Sequence, residues 1–180
     1  TYGGGLAGNR CCAHCCAGRP ALTKGMKITM KHNGILFALL AGGIFATDQY
    51  CKNRVEQMPG EELPRSLEPL PVILRRSHNK GMFMNLLDKW PKASAAISCA
   101  ALAAAAVLYL PAAWKNSGRF LEKTGAALIL GGALSNVWDR LKRGYVVDYI
   151  SFPLKPIRHI VFNIGDFAIF AGLSAFIGDH

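Results

Sequence analysis

A chain of 180 residues that is 51% hydrophobic and only 18% charged is too apolar for disorder and carries less charge than a water-soluble domain usually does. Its 21 Lys and Arg against 11 Asp and Glu give a net charge of +10. With the apolar residues gathered into long uncharged runs, and a mean hydropathy of +0.21, that charge argues less for a nucleic-acid-binding domain than for a membrane protein whose basic residues meet anionic headgroups or a charged substrate.

Residues 1–25 stand apart. They hold four of the six cysteines, show no apolar periodicity and begin at Thr1; the first methionine, Met26, opens the basic stretch MKITMKHNG that leads into an apolar run. Residues 1–25 read as a non-native or disordered extension, and 26–180 as a single domain. Cys11, Cys12, Cys15, Cys16 and His14 lack the paired C-x2-C or H-x3-H spacing of a zinc site, so no metal is expected there. Cys51 and Cys99 are two distant thiols and make no disulfide framework.

Four candidate membrane spans follow. The first, 32–47 (HNGILFALLAGGIFAT), is uncharged and runs into Asp48. The second, 93–113 (ASAAISCAALAAAAVLYLPAA), has 21 uncharged residues, against the ~20 needed to cross a bilayer. The third, 120–138 (FLEKTGAALILGGALSNVW), has a short apolar core, and the fourth, 160–178 (IVFNIGDFAIFAGLSAFIG), is interrupted by Asp166. Between the first two lies the polar, proline-containing segment 50–92, where PVILRRS and GMFMNLL have strand character and suggest a small sheet at the membrane surface. The fold class expected is an all-α integral membrane protein of four transmembrane helices, with that small extracytoplasmic β-sheet between helices 1 and 2. Lys24, Lys27, Lys31, Lys115 and Arg119 favour a cytoplasmic side for both termini, although Arg75, Arg76, Lys142 and Arg143 dilute the contrast.

Polar groups at membrane depth are costly, roughly 2.5–3.5 kcal/mol for an Asp at mid-helix, and so mark functional candidates. Asp48 and Lys52 stand four apart in the favourable acid-then-base order; Asn136, Asp139 and Arg140 share a helix face, as do Asn163 and Asp166. The plain reading of Asp48 with Lys52, and of Asp139 with Arg140, is a helix-end ion pair. Asp166 is different, with apolar neighbours and no adjacent base. Asp148 lies 18 residues upstream, and Pro153 and Pro156 forbid one helix between them, so the chain turns back and can set the two side by side. Two close carboxylates hold one proton between them, which suits an aspartic peptidase: the ionised member takes a proton from water and the protonated one polarises the scissile carbonyl. Ion-coupled carriers use such pairs too.

The segment GGALSNVWDRLKRGYVVDYISF, followed by VFNIGDF, resembles the bacterial lipoprotein signal peptidase (signal peptidase II) family, and TDQYCK and HNKGMF match two further motifs of that family in the right order. The resemblance implies a four-helix membrane peptidase. Its catalytic pair falls on Asp148 and Asp166. Its supporting and substrate-binding residues fall on Asn136, Arg140, Asn163, Asn79, Gly81, Asp48 and Lys52. It further implies an active site near the outer leaflet of a bacterial cell membrane, membrane lipids as neighbours, and no nucleic acid, metal or other cofactor. A monomer is expected. The substrate would be a prolipoprotein cleaved just before its diacylglyceryl cysteine. Ser135 stands where the family has glycine and Gly165 where it has alanine, and the long segment 50–77 marks a divergent member. Two other classes compete: a catalytically silent relative that binds lipidated peptides, against which both aspartates argue, and a small ion-coupled carrier, against which the lack of an internal repeat argues.

Overall fold

A computed structural model describes residues 33–81, 89–114 and 120–177. All belong to one unit, Lys31–His180. Residues 1–25, with their cysteine cluster, lie outside the described residues.

Helix α1 spans Asn33–Gln57. Its apolar first half gives way to a polar one at Asp48, yet the helix continues because Asp48 and Lys52 pair one turn apart at 2.7 Å. Arg54 suits its last turn, and Pro59 ends it. Helix α2, Pro91–Trp114, starts on a proline, which has no amide to leave unsatisfied, and is carried by alanine. Helix α3, Phe120–Lys142, stops at Gly144, whose φ of +82° is the left-handed conformation that closes a helix. Helix α4 is Ile164–Ile177.

Helix α3 is the hub, packed against the other three. Its contact with α4 is close: a side chain on Gly132 would strike the Gly165 carbonyl oxygen, and one on Gly172 would come within 2.6 Å of the Gly125 carbonyl. The outward surfaces of α1 and α2 are apolar, with Ile35, Leu36, Leu39, Val107 and Leu108 exposed, as in helices that face lipid. Two helices are long and apolar enough to cross a membrane, Gly34–Gln57 and Pro91–Pro111; Ile164–Ala175 is a shorter apolar helix, and α3 carries Glu122, Lys123, Asp139 and Arg140 within its length. The four-span expectation therefore meets two segments of sufficient length among the described residues.

The sheet has four antiparallel strands in the order β1 (Arg65–Ser66), β2 (Ile73–Asn79), β3 (Val146–Ser151) and β4 (Val161–Phe162). Its origin differs from expectation. Only β1 and β2 come from between α1 and α2; β3 (VVDYIS) and β4 come from between α3 and α4. Val161 and Phe162 also leave the fourth helical run, which starts at Ile164 instead of residue 160. The physical reason is pairing over distance: Ser77 lies opposite Asp148 and Asn79 opposite Val146, a match no local pattern reveals. Beyond Gly81, the second expected strand, GMFMNLL, lies outside the described residues. Arg76 joins sheet to helix, donating from Nη1 to the Glu56 and Met58 carbonyls at the end of α1.

Candidate active site

Strand β3 is buried along almost its whole length, and Asp148 sits in its middle with only 4% of its surface exposed. Such a carboxyl needs donors. Asn163 Nδ2 supplies one at 2.6 Å and Asn79 Nδ2, from the neighbouring β2, a second at 3.1 Å. Burial, and then the nearby Asp166 carboxylate, push the Asp148 carboxyl up from its ordinary value to about 7.

Asp166 is placed by a reciprocal cap at the start of α4. Asn163 Oδ1 accepts from the Asp166 amide at 2.9 Å, while Asp166 Oδ2 accepts from the Asn163 amide at 3.1 Å. This is the capping-box arrangement, with the acid three residues into the helix. Its other oxygen accepts from Asn136 Nδ2 at 2.9 Å. Asn163 therefore touches both carboxyl groups, one through its side-chain amide and the other through its backbone.

Both aspartates line one cavity of about 350 Å³. Asn79, Asn136 and Arg140 complete its polar side; Phe162, Ile169 and Phe170 form much of an apolar side. The Arg140 guanidinium is held by the Gly81 carbonyl (2.9 Å), the Ser94 hydroxyl (3.2 Å) and the Asn136 carbonyl (3.3 Å). Gly81 thus takes part through its carbonyl and does not line the cavity.

Asp48 and Lys52 lie behind the cavity wall, fully buried. Lys52 Nζ meets Asp48 Oδ2 at 2.7 Å, Asn136 Oδ1 at 2.8 Å, and Asp139 Oδ2 and Ser135 Oγ at 3.2 Å. By occupying Asn136 Oδ1, the ammonium turns Asn136 Nδ2 toward Asp166. Asp139 is corrected here. It pairs with Lys52 and with Arg143 (3.1 Å), accepts the Val147 amide, and makes no bond to Arg140. Consecutive residues on a helix point 100° apart, whereas i and i+4 stack.

Three further residues take part in roles that the sequence did not assign them. Gln49 Nε2 donates to Ser135 and Asp139. The Tyr149 hydroxyl donates to Asp48 (3.0 Å) and accepts from the Ile164 amide; burial and the Asp48 charge raise its pKa, so it stays a neutral donor. Ser135 adds a hydroxyl that donates to Asp48 at 2.6 Å. Gln49 falls within the TDQYCK segment, and nothing local marks Tyr149. Among the described residues no group of three or more His, Cys, Asp or Glu is arranged to hold a metal ion.

Residues 36–180 match the family model described as Signal peptidase (SPase) II. The chain is similar to the lipoprotein signal peptidase of Mesorhizobium japonicum, 35% identical over 145 residues that cover 80% of this chain and 84% of the relative. It is also similar to that of Actinobacillus succinogenes, 36% identical over 154 residues that cover 83% and 91%. Two solved structures described as bacterial membrane enzymes share the fold, with TM-scores of 0.66 and 0.64 at 21% and 20% identity; each comparison covers 80% of this chain, and 86% and 91% of the respective neighbour.

Proposed function

The chain belongs to the signal peptidase II family, a membrane peptidase that removes signal peptides from prolipoproteins, and from that premise we propose that it does so as an aspartic endopeptidase through Asp148 and Asp166. The observation that carries the reading is the single residue Asn163 bonded to both carboxyl groups at the rim of one cavity. The pair shares one proton: burial and the neighbouring Asp166 raise the Asp148 carboxyl to about 7, the protonated member polarises the scissile carbonyl, and the ionised member takes the proton from the attacking water. The tetrahedral intermediate then collapses as a proton passes to the leaving nitrogen. No metal or organic cofactor enters this scheme. Asn136, Asn163 and Asn79 orient the pair, and Arg140, locked to Gly81 and Ser94, holds the substrate backbone. Asp48 and Lys52 act through Asn136.

The cavity's two faces fit the substrate we propose: polar groups for the peptide, apolar ones for the lipid-bearing cysteine, with cleavage just before that cysteine. In this reading α3 and α4 are the third and fourth spans, the sheet lies at the membrane surface near the outer leaflet of the bacterial cell membrane, and the enzyme is monomeric among lipids. The domain is 26–180, a boundary supported by a family match that starts at residue 36.

The test is cleavage of a diacylglyceryl prolipoprotein in detergent, with folding checked for each variant. Asp148→Asn and Asp166→Asn are each expected to abolish product, and the double variant to be no worse than either, since the two act as a unit. Robust cleavage by either folded variant would remove the aspartic mechanism.

A further inference from the structure

The stretch PVILRRS sets two arginines next to each other in a strand, where alternation would send their side chains to opposite faces. In β2 that alternation is broken. Leu74 lies opposite Ile150, and the next pair is Ser77 opposite Asp148, so three steps on β2 match two on β3 and the extra residue falls at Arg75 and Arg76. A bulge of this kind re-aims side chains. Both arginines here line one surface cavity of about 320 Å³, closed on its other side by Gly60, Leu63 and Pro64.

The cavity is rich in unspent donors. Arg76 commits Nη1 to the end of α1 and keeps its other nitrogens. Arg75 Nε is buried with no hydrogen-bond partner. Among the described residues, no carboxylate forms an ion pair with either guanidinium. A buried cationic donor left unpaired is costly, and in native proteins such a group calls for an explanation. Arg75 and Arg76 together line this small cavity, and guanidinium groups are donors suited to the oxygens of a phosphate group.

We infer that the Arg75–Arg76 bulge and the Gly60–Pro64 turn form a phosphate-binding site, distinct from the peptidase cavity, and that it takes the headgroup of an anionic glycerophospholipid. The choice of occupant rests on the membrane reading above. A sheet at the membrane surface stands among lipid phosphates, and Leu63 and Pro64 offer an apolar wall where a glycerol backbone would lie. Occupancy would fasten β2 to the membrane surface, and β2 is the strand that carries Asn79 to Asp148.

The experiment uses the full chain in a neutral detergent. Its thermal unfolding midpoint is followed while dihexanoyl phosphatidylglycerol, dihexanoyl phosphatidylcholine or inorganic phosphate is titrated in. The wild type is expected to be stabilised by phosphatidylglycerol and not by phosphatidylcholine. Arg75→Gln is expected to weaken that response about tenfold, the loss of one charge-assisted contact. Arg75→Lys, which keeps the charge but not the fork, is expected to fall between. Cleavage of a lipidated precursor in lipid-free detergent is expected to be equal for Arg75→Gln and wild type. Failure of the lipid response therefore leaves the peptidase reading standing, and loss of cleavage by the dyad variants leaves the lipid response standing. If inorganic phosphate stabilises as well as the lipid does, and Arg75→Gln abolishes this, the site holds but its occupant is a free phosphate. Equal responses of wild type and Arg75→Gln to every titrant would overturn the proposal.

Discussion

At the scale of single residues, Asp148 links the site to pH. Its carboxyl is held near 7 in the folded chain against about 3.8 as the ordinary value. The folded state thus binds the proton more tightly than the unfolded state does. Stability contributed by the protonated group is complete below pH 3.8 and is lost as pH rises through 7. Catalysis follows the same proton. kcat/KM for a lipidated precursor is expected to fall on the alkaline side with an apparent midpoint near 7, a value that belongs to the coupled pair. The unfolding midpoint of Asp148→Asn is expected to lose the matching part of its pH dependence; an unchanged dependence would mean that the proton resides elsewhere. Lys52 supports a second expectation. It is fully buried between Asp48 and Asp139, so Lys52→Met would leave excess buried negative charge. The expected loss is about 3–5 kcal/mol in denaturant unfolding.

At the scale of elements, glycine contacts set how closely helices approach. Gly132 meets the backbone of Gly165, one residue before Asp166. Gly132→Val must push α3 and α4 apart, at a cost of about 1–3 kcal/mol, and carry Asp166 away from Asp148. Both thermal stability and cleavage are expected to drop. Gly42 on α1 faces open space, and Gly42→Ala is expected to raise stability by about 0.5–1 kcal/mol, with cleavage unchanged. Helices α1 and α2 were legible because a long uncharged run has one economical conformation in an apolar medium. The sheet was half-legible. PVILRRS announced a strand, but VVDYIS is a short apolar run whose partner lies some seventy residues away, and short apolar runs do not distinguish strand from helix. In the site, the meeting of Asp148 and Asp166 followed from two prolines that forbid a straight helix between them. The true partner of Asp139 did not, because adjacency in sequence suggested Arg140 where helical geometry delivers Arg143.

At the scale of the whole molecule, the family model matches residues 36–180, which takes in all of the described fold but the first three residues of α1. A chain starting at Met26 is therefore expected to insert and to cleave a lipidated precursor at the full-length rate. An inserted but inactive truncation would assign a role to the cysteine-rich stretch before it. Sequence reading treated that stretch by exclusion, since it offered neither periodicity nor ligand spacing.

The buried charges behind the cavity also say something about biosynthesis. Asp48 and Lys52 stand one turn apart on α1, and Asp139, near the end of α3, stands four residues before Arg143, which directly follows that helix. Each of these two buried aspartates therefore has a counter-ion of its own four residues on, available before the other helix has been made. When the two helices meet, Lys52 reaches across to Asp139, and two local pairs merge into one shared network. Assembly then adds a bond between two pairs that are already formed and releases neither partner of either.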